Sequence, residues 1–176
     1  MQRSPFEFDI VEARLELADL PSEIRPLFAY WRKQRNDRLM PSRSQIDPTD
    51  LRAMLRYISL VEITPAPRNF LYRVIGANLS HRPGGPRDRR NTTELRPERY
   101  RQMVERHYGE ACDLRRPTLY GVKLSFKDVQ LTYRRLILPL ANDGANPNML
   151  LIGSVFDLGE NERFWRRYGE EEQRAA

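Results

Sequence analysis

One cysteine, Cys112, two histidines, His81 and His107, and three lysines, Lys33, Lys123 and Lys127, are all that 176 residues hold of those types. A single thiol excludes an internal disulfide and any multi-thiolate metal centre. No H-E-x-x-H is present, so no metal site is expected. G-x-S-x-G, Walker-type and G-x-G-x-x-G sequences are missing too. A hydrolase needs a nucleophile with a base held beside it, and no such pairing is readable. No catalytic residue is therefore assigned, and a non-enzymatic role is expected. No apolar run approaches the roughly 18 residues of a membrane helix. The amino-terminal MQRSPFEFDIVEARLEL carries acids early in place of the apolar core of a signal peptide. These absences lead us to expect a soluble, cytoplasmic chain with no membrane partner.

What the chain does have is 40% hydrophobic and 31% charged residues, enough for one globular core and too little length for two. The pI near 9.8 comes almost wholly from arginine. The arginines are scattered and interleaved with acids, as in Asp50 with Arg52 and Glu105 with Arg106. That pattern fits a solvated surface better than a phosphate-binding stripe, so nucleic acid is not the expected partner. Two clusters, residues 82–90 and Arg163 with Arg166 and Arg167, define the alternative of a nucleic-acid-associated basic protein.

Periodicity divides the chain into an arm and helix over 1–35, a main domain over 36–158 and a charged tail over 159–176. In the arm, Phe6, Phe8 and Ile10 alternate, which suits an edge strand or an ordered extension. Leu20, Ile24, Leu27, Phe28 and Trp31 then fall on one helical face, with Arg32, Lys33 and Arg35 at the end where positive charge suits the dipole. Asp47 and Pro48 open a short helix over 48–56 by N-cap and first-turn proline. Residues 57–63 and 70–75 read as a hairpin around the turn at 65–67. HRPGGPRDRR cannot hold a helix through its middle. Pro97 opens a helix whose face carries Tyr100, Met103, Val104, His107, Tyr108 and Ala111. Strands are expected over 120–127, where apolar and polar residues alternate, over 131–140, and over 149–158, the most apolar and so the most central. The tail reads as a short helix that frays.

The segment LFAYWRKQRNDRLMPSRSQIDPTDLRAMLRYISLVEI resembles the opening of a bacterial subfamily of short, mostly free-standing PAS proteins. NFLYRVIGANL, with Gly76 at its end, resembles the second strand of that family. RRPTLYGVKL, YRRLILPLANDG and MLLIGSVFDL resemble its third, fourth and fifth strands. The resemblance implies an α+β fold, a five-stranded antiparallel sheet covered by helices on one face, with a helical extension before it and a short helix after. It also implies a sensory or signalling role, exercised by protein–protein contact and small-molecule sensing. The sequence departs from the pattern at NLSHRPGGPRDRRNTTEL, where prolines and glycines interrupt the helix that walls the cavity in relatives.

A ligand in such a fold would be lined by Tyr72, Val74, Met103, His107, Tyr120, Val122 and Leu136, with Tyr133 and Arg135 as polar anchors. The ligand itself is not identified by the sequence, and no cofactor is expected. His107 is the one residue placed like the haem ligand of haem-binding PAS domains, but the same pattern fits a partly buried histidine. Cys112, in EACDL, does not match the reactive thiol motif of flavin-binding relatives; Arg115 nearby would lower its pKa. Since PAS domains commonly pair through a helix before the sheet, a homodimer is expected through Leu20, Ile24, Leu27, Phe28 and Trp31. The competing reading folds that stripe back on its own sheet.

Overall fold

Alternating apolar residues build an antiparallel sheet, and the computed structural model, which describes residues 7–80 and 90–175, has six strands in it. They are β1 (Asp9–Leu15), β2 (Ile58–Thr64), β3 (Asn69–Ile75), β4 (Thr118–Phe126), β5 (Val129–Leu140) and β6 (Met149–Phe156). Their order is β1-β4-β5-β6-β2-β3, with every neighbouring pair antiparallel. The five strands expected from the resemblance are present. The sixth comes from the arm, where β1 pairs along β4 from Asp9 opposite Ser125 to Leu15 opposite Leu119. β6 lies inside the sheet between β5 and β2, as its apolar sequence requires.

Helices cover both faces of this sheet, one face more than the resemblance implies. On the first face, Leu131, Tyr133 and Ile137 of β5 and Leu150, Ile152 and Phe156 of β6 enter one core. That core is closed by α3 (Glu98–Leu114) and α4 (Leu158–Ala175). On the second face, Leu136, Leu138, Leu140 and Leu151 meet Leu27 and Trp31 of α1 (Arg25–Arg35). The Trp31 indole N–H donates to the Pro139 carbonyl at 2.9 Å, which satisfies the one polar atom that this ring buries. Gly153 marks where α1 crosses: a Cβ there would come within 2.9 Å of the Leu27 side chain.

Local chemistry explains where the elements differ from their expected bounds. α1 starts at Arg25, because residues 21–24 form a turn in which the Ile24 N–H reaches the Pro21 carbonyl at 3.2 Å. The helix expected over 48–56 is a 3-10 turn over Arg52–Tyr57. Asp47 does accept from the Thr49 N–H at 2.8 Å, the bond of an N-cap, but the residues that follow, 48–51, form a turn and not an α-helix. A four-residue helix, α2 (Ala77–Ser80), follows Gly76. The break expected over 81–90 lies outside the described residues except for Arg90.

The tail differs most. α4 runs 18 residues and buries Phe164, Trp165 and Tyr168 against Phe8, Tyr100 and Phe126. Charges flank that face: Glu171 meets Lys127 at 2.6 Å and Arg167 meets Asp128 at 3.3 Å, both on the β4–β5 turn. Such exposed pairs add little stability, so the aromatic face holds the helix. Residues on either side of positions 35 and 158 thus contribute to shared cores.

Candidate functional site

Inward positions of a strand recur every second residue, so Leu131, Tyr133, Arg135 and Ile137 of β5 all point into the first core. Arg135 is the exception in chemistry, a guanidinium only 4% exposed. It lies opposite Tyr120 on β4 and Ser154 on β6. Its neighbours are aromatic: its guanidinium carbon is 5.1 Å from the Tyr133 ring centre and 5.8 Å from that of Tyr108. Burial acts against its charge, while Tyr133, Tyr108, Tyr100 and Tyr72 around it favour the charge, and the balance keeps the group protonated. Among the described residues no carboxylate pairs with it. Beside it lies a small chamber of about 30 Å³, also lined by Ser59, Ser154, Tyr72, Tyr100 and Tyr108. The Tyr72 and Tyr108 hydroxyls share a hydrogen bond at 3.0 Å, and burial pushes the Tyr72 hydroxyl's pKa well up, so it stays protonated.

Arginine can only donate, and that fixes the state of the next residue. Arg135 Nη2 donates to the Tyr133 hydroxyl at 3.1 Å and Nη1 to His107 Nδ1 at 3.4 Å. An accepting Nδ1 puts the imidazole proton on Nε2, which donates to Glu12 Oε2 at 2.6 Å. Glu12 also pairs with Arg106. The imidazole is stacked on Tyr120 at 3.6 Å, and the Tyr120 hydroxyl donates to Glu110. A chain of polar contacts therefore runs from the chamber, through a neutral histidine, to the edge strand β1.

Burial, Arg135 and Arg106 together hold the His107 pKa down to about 2. The consequence for stability has a definite sign. Unfolded His107 takes up a proton below its ordinary value of 6.5, while the native ring does not. Stability is therefore lost as pH falls through 6.5, and by about pH 5 the loss is about 2 kcal/mol. In His107→Gln this part of the loss is absent. Urea midpoints for both proteins at about pH 7 and about pH 5 measure it, and parallel losses would place the titration elsewhere.

The predicted lining residues separate into three groups. Tyr72 and Arg135 line the chamber, with Tyr133, His107 and Tyr120 in contact behind Arg135. Met103 and Val122 are in the same core away from the chamber. Two placements are corrected: Val74 is 48% exposed, because the bulge near Leu60 and Val61 shifts the β3 register, and Leu136 belongs to the opposite face. Ser59, Ser154 and Glu12 were not anticipated. The signal for the serines was a hydroxyl at an inward position of an apolar strand; for Glu12 it was the alternation begun by Phe8 and Ile10.

Leu20, Ile24, Leu27 and Trp31 are buried in the second core, and Phe28 packs against it. The stripe expected at a dimer interface thus covers its own sheet. Both ring nitrogens of His107 are engaged, so an iron would have to displace Glu12 or Arg135. Burial raises the Cys112 thiol to about 11, and the guanidinium near it is that of Arg68, not Arg115. Among the described residues no cluster suits a metal ion, and no helix is long and apolar enough to cross a membrane.

Comparison with known proteins adds one finding. A search of the curated proteins and a search of the solved structures each returned no match. A family model described as PAS domain matches residues 20–155, well over half the chain, from just before α1 to β6. That span contains the first four strands quoted for the resemblance, nearly all of the fifth and the whole Arg135 chamber, and with it the chain belongs to the PAS domain family.

Proposed function

We propose that this chain is a non-catalytic, cytoplasmic signalling module that senses a small molecule on the first face of its sheet and signals by contact with another chain. Membership of the PAS family gives the coarse role of a sensory or signalling domain. The observation that supports sensing is Arg135, a buried cation beside a chamber walled by hydroxyls. A buried charge is costly unless paired, and one held beside a cavity is a candidate binding group. The contacts through His107 to Glu12 supply a route from the chamber to β1 at the edge of the sheet.

The basic-protein alternative loses support on α4, where Arg166 pairs with Glu162 and Arg167 with Asp128 and Glu171. Arg90 likewise lies 3.6 Å from Glu94, and residues 82–89 are outside the described structure. With the α1 stripe covered, a homodimer or a heterologous partner must use another surface.

A thermal-shift screen of small metabolites tests the sensing half. Some compound is expected to raise the Tm of the native chain and not that of Ser154→Leu, whose side chain fills the chamber. Light scattering on the same samples reads self-association. A library that stabilises neither protein would remove the sensing role, and a monomer with and without ligand would leave a heterologous partner as the only contact.

A further inference from the structure

We infer that the Arg135 chamber is a receptor for the headgroup of a small monocarboxylate carrying a short apolar tail. This rests on the sensory reading and deepens it by naming the ligand class.

The donor set comes first. Among the described residues, the polar groups around the chamber are one guanidinium and the hydroxyls of Ser59, Ser154, Tyr72, Tyr100 and Tyr108, and no acidic side chain lines it. Every one of them can donate, and a guanidinium cannot accept. A pocket of donors around a fixed cation complements an acceptor-only anion. Two of the five guanidinium N–H groups go to His107 and Tyr133. Others remain for the paired bonds that a planar carboxylate accepts.

Charge and size narrow the class. Arg135 contributes one positive charge, and its hydrogen-bond partner His107 is held neutral. A monoanion balances it, whereas a dianion would bring a second charge into the core without a counterion. A chamber of about 30 Å³ admits a group the size of a carboxylate and not an aromatic cofactor. Among the described residues, the rest of the lining is Ile75, Leu79 and Ile152, an apolar surface that suits a few methylenes and that a bare inorganic anion would not use.

The test titrates the full chain with acetate, propionate and butyrate, with the matching primary amides, and with nitrate and succinate, at constant ionic strength. Calorimetry and Tm are the readouts. The monocarboxylates are expected to bind in the millimolar range, and their amides at least tenfold more weakly. Affinity should rise from acetate to butyrate. Nitrate and succinate should bind more weakly than propionate. Arg135→Lys keeps the charge and loses the planar fork, so a tenfold or greater loss is expected. Ser154→Ala removes one donor and should cost severalfold, and it serves if the arginine variant does not fold.

Equal binding of amides and carboxylates would overturn the inference, as would unchanged affinity in both variants. Nitrate binding as tightly as butyrate would reduce the site to a general anion site and remove the carboxylate assignment. If no carboxylate binds but a neutral compound from the metabolite screen does, the anion assignment fails and the sensory reading stands. If neither binds, both fail.

Discussion

A chain cut before Leu158 is expected not to reach the native state. α4 supplies Phe164, Trp165 and Tyr168 to the first core, and all three are buried. Phe8 is surrounded by these rings, at 5.3 Å from Phe164, 6.0 Å from Trp165 and 5.5 Å from Tyr168, and by Tyr100 at 5.7 Å. Replacing one large buried aromatic by alanine costs about 3–5 kcal/mol. Three lost together are comparable with the whole stability of a domain, about 5–15 kcal/mol. The truncated chain should show secondary structure in the far-ultraviolet, little near-ultraviolet signal and strong dye binding to exposed apolar surface. The single variant Phe164→Ala should fold, with stability lowered by about 3–5 kcal/mol in urea. A truncated protein with the native near-ultraviolet spectrum would show that α4 is only an appendage.

Gly76→Ala is the single substitution expected to do most damage for its size. A Cβ at that position would lie 2.5 Å from the carbonyl oxygens of both Leu55 and Arg56, and backbone atoms cannot swing aside as a side-chain tip can. The close approach is fixed by the Gly76 N–H, which donates to the Ile58 carbonyl at 2.7 Å. Relieving the clash must move the end of β3 from the 3-10 turn and break that bond. Overpacking of this kind costs about 3 kcal/mol. The loss also reaches the chamber, because Ile75 precedes Gly76 and Leu79 follows it, and both are lining residues. Gly153→Ala is the informative contrast. Its Cβ would meet a Leu27 methyl at 2.9 Å and an Ile24 methyl at 3.3 Å, both on side chains that can adjust, so a cost nearer 1 kcal/mol is expected. Denaturant midpoints rank the two, and equal losses would mean that the carbonyl contact is not the controlling one.

Strand positions were legible because burial on each face repeats every second residue, and the hairpin around residues 65–67 and the helix after Pro97 carry turn and cap chemistry. The same alternation singled out Tyr72, Tyr133 and Arg135 as inward residues. It could not rank the two faces of β5, since Leu136 and Leu138 are as apolar as Leu131 and Ile137. Both faces being covered is a property of where α1 lands, which local pattern does not encode. The helix of the tail was legible, but its length and burial were not, for a related reason: its net content is charged, yet Phe164, Trp165 and Tyr168 lie on one side of the helix. Glu12 was hidden because its partner His107 lies far away in sequence. Val74 was lost to a bulge, which changes the phase of a strand without changing its composition.

The contact between Phe8 and α4 also has a meaning in time. During synthesis Phe8 is made before every strand of the sheet, and the α4 rings that pack on it are made after every strand. A nascent chain would leave that phenylalanine without its α4 partners until the whole sheet had emerged, and such long-range closure makes folding slow. The span that defines the family, 20–155, omits both Phe8 and α4. What identifies this domain by descent and what completes it as a folding unit are therefore not the same stretch of chain.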